Sequence, residues 1–293
     1  ASGGTGSKDA SGFGTDWSQI NFAAVEDLGG GMKITAKMAL AGADRSGESG
    51  TTGAVTGRDA ALKLTTSVGR IVMRSWEVPN FLTGLLLSGM GPGQDGKVFG
   101  AKGNVDAVAF DTAMGPFSFG FEHRETAMGL GAGSSGLAAT VGQRSNVLSG
   151  TYTAGPLAAN LQYVSLDNRD TVAPVAPLLG TTDSLIRTSA TYDFGMAKVG
   201  AAFVATSMTS GRKETDTVLA VSLPLGATTL SANWASNKID ATVGGGTKSG
   251  YGLKGEYALS KRTSMIAQYA RWDSSNVATS LNTRTDLLLS HSF

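Results

Sequence analysis

Glu26 to Leu40 reads EDLGGGMKITAKMAL. Its first six residues form a glycine-rich turn. After it Met32, Ile34, Ala36, Met38 and Leu40 alternate with Lys33, Thr35 and Lys37. Successive side chains of a strand point to opposite faces, so this run is a strand with one apolar and one charged face. Before the turn, Ile20, Phe22 and Ala24 alternate with Gln19, Asn21 and Ala23, which makes the turn the bend of a hairpin. A strand of roughly ten residues is long enough to cross a bilayer at a tilt.

The same pattern continues along the chain. Ala60, Leu62 and Leu64 alternate with Asp59, Lys63 and Thr65, and past the turn at Val68-Gly69 the residues Arg70, Val72 and Arg74 alternate with Ile71 and Met73. Phe117, Phe119 and Phe121 alternate with Ser118, Gly120, Glu122 and Arg124. Tight bends are expected at Gly115-Pro116, Gly155-Pro156, Phe194-Gly195, Leu225-Gly226 and Ser260-Lys261. Longer polar stretches are expected at 43–56, 75–103, 126–143, 168–183, 209–215, 238–247 and 274–280. The stretch 75–103 breaks the alternation most sharply, with Pro79, Pro92 and the mostly apolar Phe81 to Leu87. A loop of that length inside a compact domain is usually functional.

Composition narrows the classes. The 293 residues include 41 glycines and no cysteine, which excludes disulfide frameworks, cysteine nucleophiles and thiolate metal sites. Mean hydropathy is +0.00, and no run approaches the roughly 18 apolar residues of a membrane helix. A formal charge of +1 makes no case for a nucleic-acid partner.

Two all-β architectures could hold about fifteen such strands, a soluble sandwich or a membrane barrel. The strands are long against the usual five or six residues. Their polar faces carry Lys33, Lys37, Lys63, Arg70, Arg74, Glu122, Arg124, Arg187 and Lys254, a set that must be wet. The apolar faces carry aromatics toward strand ends, including Tyr152, Tyr163, Tyr192, Trp234 and Tyr257, as interfacial girdles require. Short turns on one rim and long loops on the other complete the layout of an outer-membrane barrel, a transmembrane antiparallel β-barrel treated as a single domain over 1–293.

EDLGGGMK (Glu26 to Lys33) resembles the second hairpin of the general bacterial trimeric porin family. So do the Gly69-Arg70 strand opening, the hairpin SGTYTAGPLAANL (Ser149 to Leu161), LSKRT (Leu259 to Thr263) and the terminal alternation of Leu287, Leu289, His291 and Phe293. The resemblance implies sixteen strands, a homotrimer in the outer membrane, and a third long loop, 75–103, folded inward to narrow the pore. Because Ala1 to Thr15 is rich in Gly and Ser, the first strand is expected to lie before Ala1.

The candidate pore constriction is a basic wall of Lys33, Lys37, Lys63, Arg70 and Arg74, extended by Arg124 and Arg187, facing Glu77 and Asp95 of the long loop. Charge rings in a narrow channel set ion selectivity. The reading is a passive diffusion channel for ions and small hydrophilic solutes with a weak anion preference, contacting outer-membrane lipids and needing no cofactor. A substrate-specific channel with a binding site at the constriction, or a surface β-protein without a pore, are the alternatives. Gly131, Gly133 and Gly136 spell GxGxxG without a flanking strand and helix, so they read as loop. His123 and His291 share the apolar parity and lack a matched serine, which argues against a barrel hydrolase. Asp167, Asp170 and Asp183 read as solvated loop carboxylates in preference to a calcium site.

Overall fold

The computed structural model describes residues 19–41, 56–78, 104–125, 144–167, 182–240, 245–273 and 281–292. They form fifteen strands: β1 (Gln19–Gly29), β2 (Met32–Ala41), β3 (Thr56–Thr65), β4 (Arg70–Glu77), β5 (Asn104–Met114), β6 (Phe117–Glu125), β7 (Arg144–Ala154), β8 (Leu157–Asp167), β9 (Thr182–Asp193), β10 (Lys198–Met208), β11 (Lys213–Leu225), β12 (Thr228–Asp240), β13 (Gly246–Ala258), β14 (Thr263–Asp273) and β15 (Leu281–His291). Each strand is hydrogen-bonded to the next in one sheet ordered β1 to β15, and every pairing is antiparallel. This is the all-β, up-and-down fold of an outer-membrane barrel. Among the described residues no pairing joins β15 to β1. The expected strand before Ala1, Asp95 and the interior of the long loop lie outside the described residues.

Local sequence explains the short rim. β7 and β8 meet at Gly155-Pro156, where Gly155 takes φ 53°, a left-handed value that glycine adopts without a Cβ clash. The Asp193 amide then donates to the Pro156 carbonyl at 3.0 Å, tying this turn to the next hairpin. Two expected loops are shorter than the composition suggests. The polar stretch 209–215 shrinks to 209–212 because β11 already starts at Lys213, and the Gly211 amide closes the turn on Met208 O at 2.9 Å. Likewise β12 runs on to Asp240 and β13 already starts at Gly246, so both ends of the expected stretch 238–247 are strand. Lys213, Glu214 and Thr215 pair with Asp240, Ile239 and Lys238, so the neighbouring strand and not local composition sets where β11 begins.

The sheet has opposite chemistry on its two faces, and the sense is inverted relative to a soluble protein. Large apolar side chains stand exposed on one face, among them Phe119, Phe121, Leu148, Leu161, Tyr163, Leu253 and Leu287, the last 73% exposed. The other face is crowded and holds Glu122, Arg124, Ser189, Asn233, Asn237 and Gln268 buried beside small apolar residues such as Ala202, Val218 and Ala235. A face of that kind is stable only if hydrocarbon, not water, meets the exposed side. Aromatic pairs band the lipid-facing side: Phe117 lies 5.1 Å from Tyr152, Tyr192 4.6 Å from Phe194, and Tyr251 6.2 Å from Tyr269. The first two pairs sit at the short-turn rim. Trp234, opposite Tyr251 in register, and Tyr163 stand further along their strands.

Candidate functional site

Period-2 geometry and the register place the predicted basic residues together. Lys63 of β3 sits opposite Thr35 and Val72, Lys37 opposite Ala61, and Ala61 opposite Arg74. Arg74 is opposite Ala107 of β5, and Ala107 is opposite Arg124 of β6. Lys33, Lys37, Lys63, Arg70, Arg74 and Arg124 therefore share the inner face. Arg187 joins them on β9, opposite Gln162 and Val204, close enough to feel the charges of Arg124 and Asp216.

Lys37, Lys63, Arg70, Arg74 and Arg124, without Lys33 or Arg187, line a cavity of about 900 Å³ together with Trp76, Asp111, Val147, Ser149 and Gln162. Its arginines are ion-paired. Arg70 Nε donates to Asp111 Oδ2 at 2.7 Å. Arg74 donates to Glu122 Oε2, and Arg124 Nε donates to Glu122 Oε1 at 2.6 Å. One carboxylate thus serves two guanidiniums. The Arg74 guanidinium also lies over the Trp76 ring, and Arg124 approaches the same ring at 6.0 Å. Lys37 and Lys63 make no ion pair among the described residues.

Glu77 is a correction. It does not belong to the loop: β4 runs through it, paired with Asn104. Three residues beyond Arg74, it takes the parity of Ile71 and Met73, the outer face. There it accepts from Arg58 at 2.7 Å, while its amide donates to Asp59 Oδ1 at 3.1 Å. The cause is the length of β4, which Trp76 and Glu77 extend by pairing with β5. Glu77 therefore cannot face Arg74 across the lumen.

Sequence reasoning missed three contributors. Glu122 and Asp111 carried the right parity, yet only the register shows that they accept from arginines on other strands. Trp76 looked like part of a loop. A fourth feature is acidic: Asn237, 1% exposed, donates to both Glu214 Oε1 and, at 2.5 Å, Asp216 Oδ1. These carboxylates lie on β11, seven strands away from β4 in the sheet order. The histidines have structural partners on the outer face: His123 Nδ1 lies 2.8 Å from Asn146 Oδ1, and His291 Nδ1 2.9 Å from Thr263 Oγ1.

An all-β sheet with an apolar outer face and a wet, charged inner face defines an outer-membrane barrel channel. The description Gram-negative porin matches residues 1–277, and the chain belongs to that family. No curated protein sequence matches it. Solved structures show the same fold at low identity. A loop-deletion mutant of OmpT, an outer membrane protein of Vibrio cholerae, superposes with TM-score 0.68 at 15% identity, covering 97% of this chain and 93% of the other. The anion-selective porin from Comamonas acidovorans gives TM-score 0.64 at 20% identity, covering 94% and 86%. A mutant of the Rh. blastica porin gives TM-score 0.61 at 14% identity, covering 94% and 89%. The family indicates a channel in the bacterial outer membrane in place of an enzyme.

Proposed function

We propose that the chain forms a water-filled pore for passive diffusion of ions and small hydrophilic solutes, with a weak preference for anions. The observation that carries this reading is the unequal pairing of charges on β2 to β6. Arg70 is neutralised by Asp111, Arg74 and Arg124 share Glu122, and Lys37 and Lys63 carry no such partner among the described residues. The wall facing the 900 Å³ cavity therefore keeps a net positive charge. Fixed charge in a narrow, low-dielectric passage enriches the counter-ion. The structural likeness to an anion-selective porin supports the same direction. The proposal includes assembly as a homotrimer, as the family resemblance implies, and a narrowing of the pore by the loop that follows β4.

The test is a planar-bilayer recording of purified protein in a tenfold potassium chloride gradient. A reversal potential of the sign for chloride permeation is expected. A potential of the opposite sign would reject the anion preference, and absence of conductance would reject the pore.

A further inference from the structure

Arg74 and Arg124 lie back against the wall and do not extend into the lumen, and the sequence around them accounts for it. Arg74 and Arg124 stand on strands two apart, about 10 Å between backbones at the usual strand spacing. Like charges at that separation repel, and each would be better hydrated if it reached into the water. Instead both bend toward one point. Between them on β5 lie only Ala107, in register with both, and Ala109, in register with Glu122. Those methyl groups leave a shallow trough in the wall. Glu122 closes the trough, held between Ala109 and Val147 in its row, and it accepts from both guanidiniums. Trp76, one step beyond Arg74 on the same face, is the floor against which the Arg74 guanidinium rests at 3.6 Å. Glu122 and Arg124 are buried, and Arg74 is half-buried.

We infer that Glu122 is a clamp that lays Arg74 and Arg124 flat in the Ala107–Ala109 trough, and that it thereby sets both the aperture and the charge selectivity of the pore. The inference rests on the channel reading above. Glu122 is a positioning residue in this scheme: it acts through the two arginines. With the clamp in place the triad presents a net single positive charge at the wall and leaves the cavity open. Without it the two guanidiniums lose the anion they share, repel, and extend into the water-filled space. The pore then becomes narrower and more anion-selective at the same time.

The experiment compares Glu122→Gln, Glu122→Asp, Ala107→Leu and Asp111→Asn with the unmodified protein in planar bilayers. Two quantities are read: the largest neutral polyethylene glycol that enters the pore, and the anion-to-cation permeability ratio. Glu122→Gln should lower the size cut-off and raise the ratio about two- to threefold, as an added unpaired cation in a low-dielectric wall requires. Glu122→Asp, which keeps the anion, should stay near the unmodified protein in both. Ala107→Leu fills the trough without changing any charge and should lower the cut-off alone. Asp111→Asn adds the same net charge beside Arg70 and should raise the ratio with the cut-off unchanged. The clamp is overturned if Glu122→Gln leaves the cut-off where it was, or if Asp111→Asn lowers it equally. Failure of the channel reading is separate, since it would appear as absent conductance in the unmodified protein.

Discussion

The Arg74 side chain lies across the indole of Trp76, with the guanidinium carbon 3.6 Å from the ring centre. Both residues are on β4, two apart, so the contact follows from strand pleating. A cation over an indole face contributes about 0.5–2 kcal/mol. Among the described residues the indole Nε1 has no hydrogen-bond partner. Trp76→Phe therefore loses no hydrogen bond and should change unfolding free energy little. Trp76→Leu should lower it by about 1 kcal/mol. Urea titrations in lipid vesicles, followed by far-UV circular dichroism, measure the difference; an equal loss in both variants would assign the effect to the indole N–H and not to the ring face.

Adjacent residues on β7 test which face meets lipid. Leu148 is 57% exposed on the apolar face, and Ser149 lines the cavity. Arginine on a lipid-facing strand position near mid-membrane costs about 2–4 kcal/mol. Leu148→Arg should lose that much by urea unfolding in vesicles. Ser149→Arg should fold normally and reduce single-channel conductance, because the new side chain enters water inside the pore.

Gly69 closes the β3–β4 turn with φ 155°, and a Cβ there would stand 2.5 Å from the Asp111 carbonyl oxygen and 2.8 Å from the Phe110 ring. A backbone oxygen cannot move aside without breaking the β4–β5 register. Gly69→Ala should therefore lower the yield of heat-resistant folded protein and destabilise by more than about 1 kcal/mol. Gly150, on β7, has no atom within 4 Å of its would-be Cβ. Gly150→Ala should be neutral by the same gel-shift and urea assays.

Asn237 supplies one amide to two carboxylates, Glu214 and Asp216. Replacing it with leucine removes both hydrogen bonds and leaves two anions side by side. Losing the partner of a half-buried charged group costs on the order of 1 kcal/mol per group. Asn237→Leu should fall by at least that amount. Asn237→Leu combined with Asp216→Asn should recover part of it, which a urea double-mutant cycle would read as coupling.

Much of the architecture was legible before any coordinates. Met32 to Leu40 shows why: the alternation of Met, Ile and Met with Lys and Thr is a local property, written two residues at a time. The same holds for Phe117 to Phe121 and for the turn at Gly155-Pro156. Strand ends were harder to place. β4 continues through Trp76 and Glu77 because β5 offers them partners, and nothing within residues 70–77 announces where β5 will lie. For the same reason the polar residues 213–215 read as loop, although they pair with Asp240, Ile239 and Lys238 on β12.

The site divides along the same line. Lys37, Lys63, Arg74 and Arg124 could be assigned to the inner face from parity alone, since a strand residue has only two sides to choose from. That Arg74 shares Glu122 with Arg124 could not, because the partners are 48 residues apart in the chain and meet through the register of three strands. Arg70 and Asp111, 41 residues apart, meet the same way. By itself the sequence determined the strands, their two faces and hence a membrane channel, because side-chain alternation is set by the covalent geometry of each strand. Which charges remain unpaired in the lumen was decided only by the tertiary structure, because pairing depends on how far each strand slides past its neighbour, and a shift of one residue would send Glu122 to the lipid face.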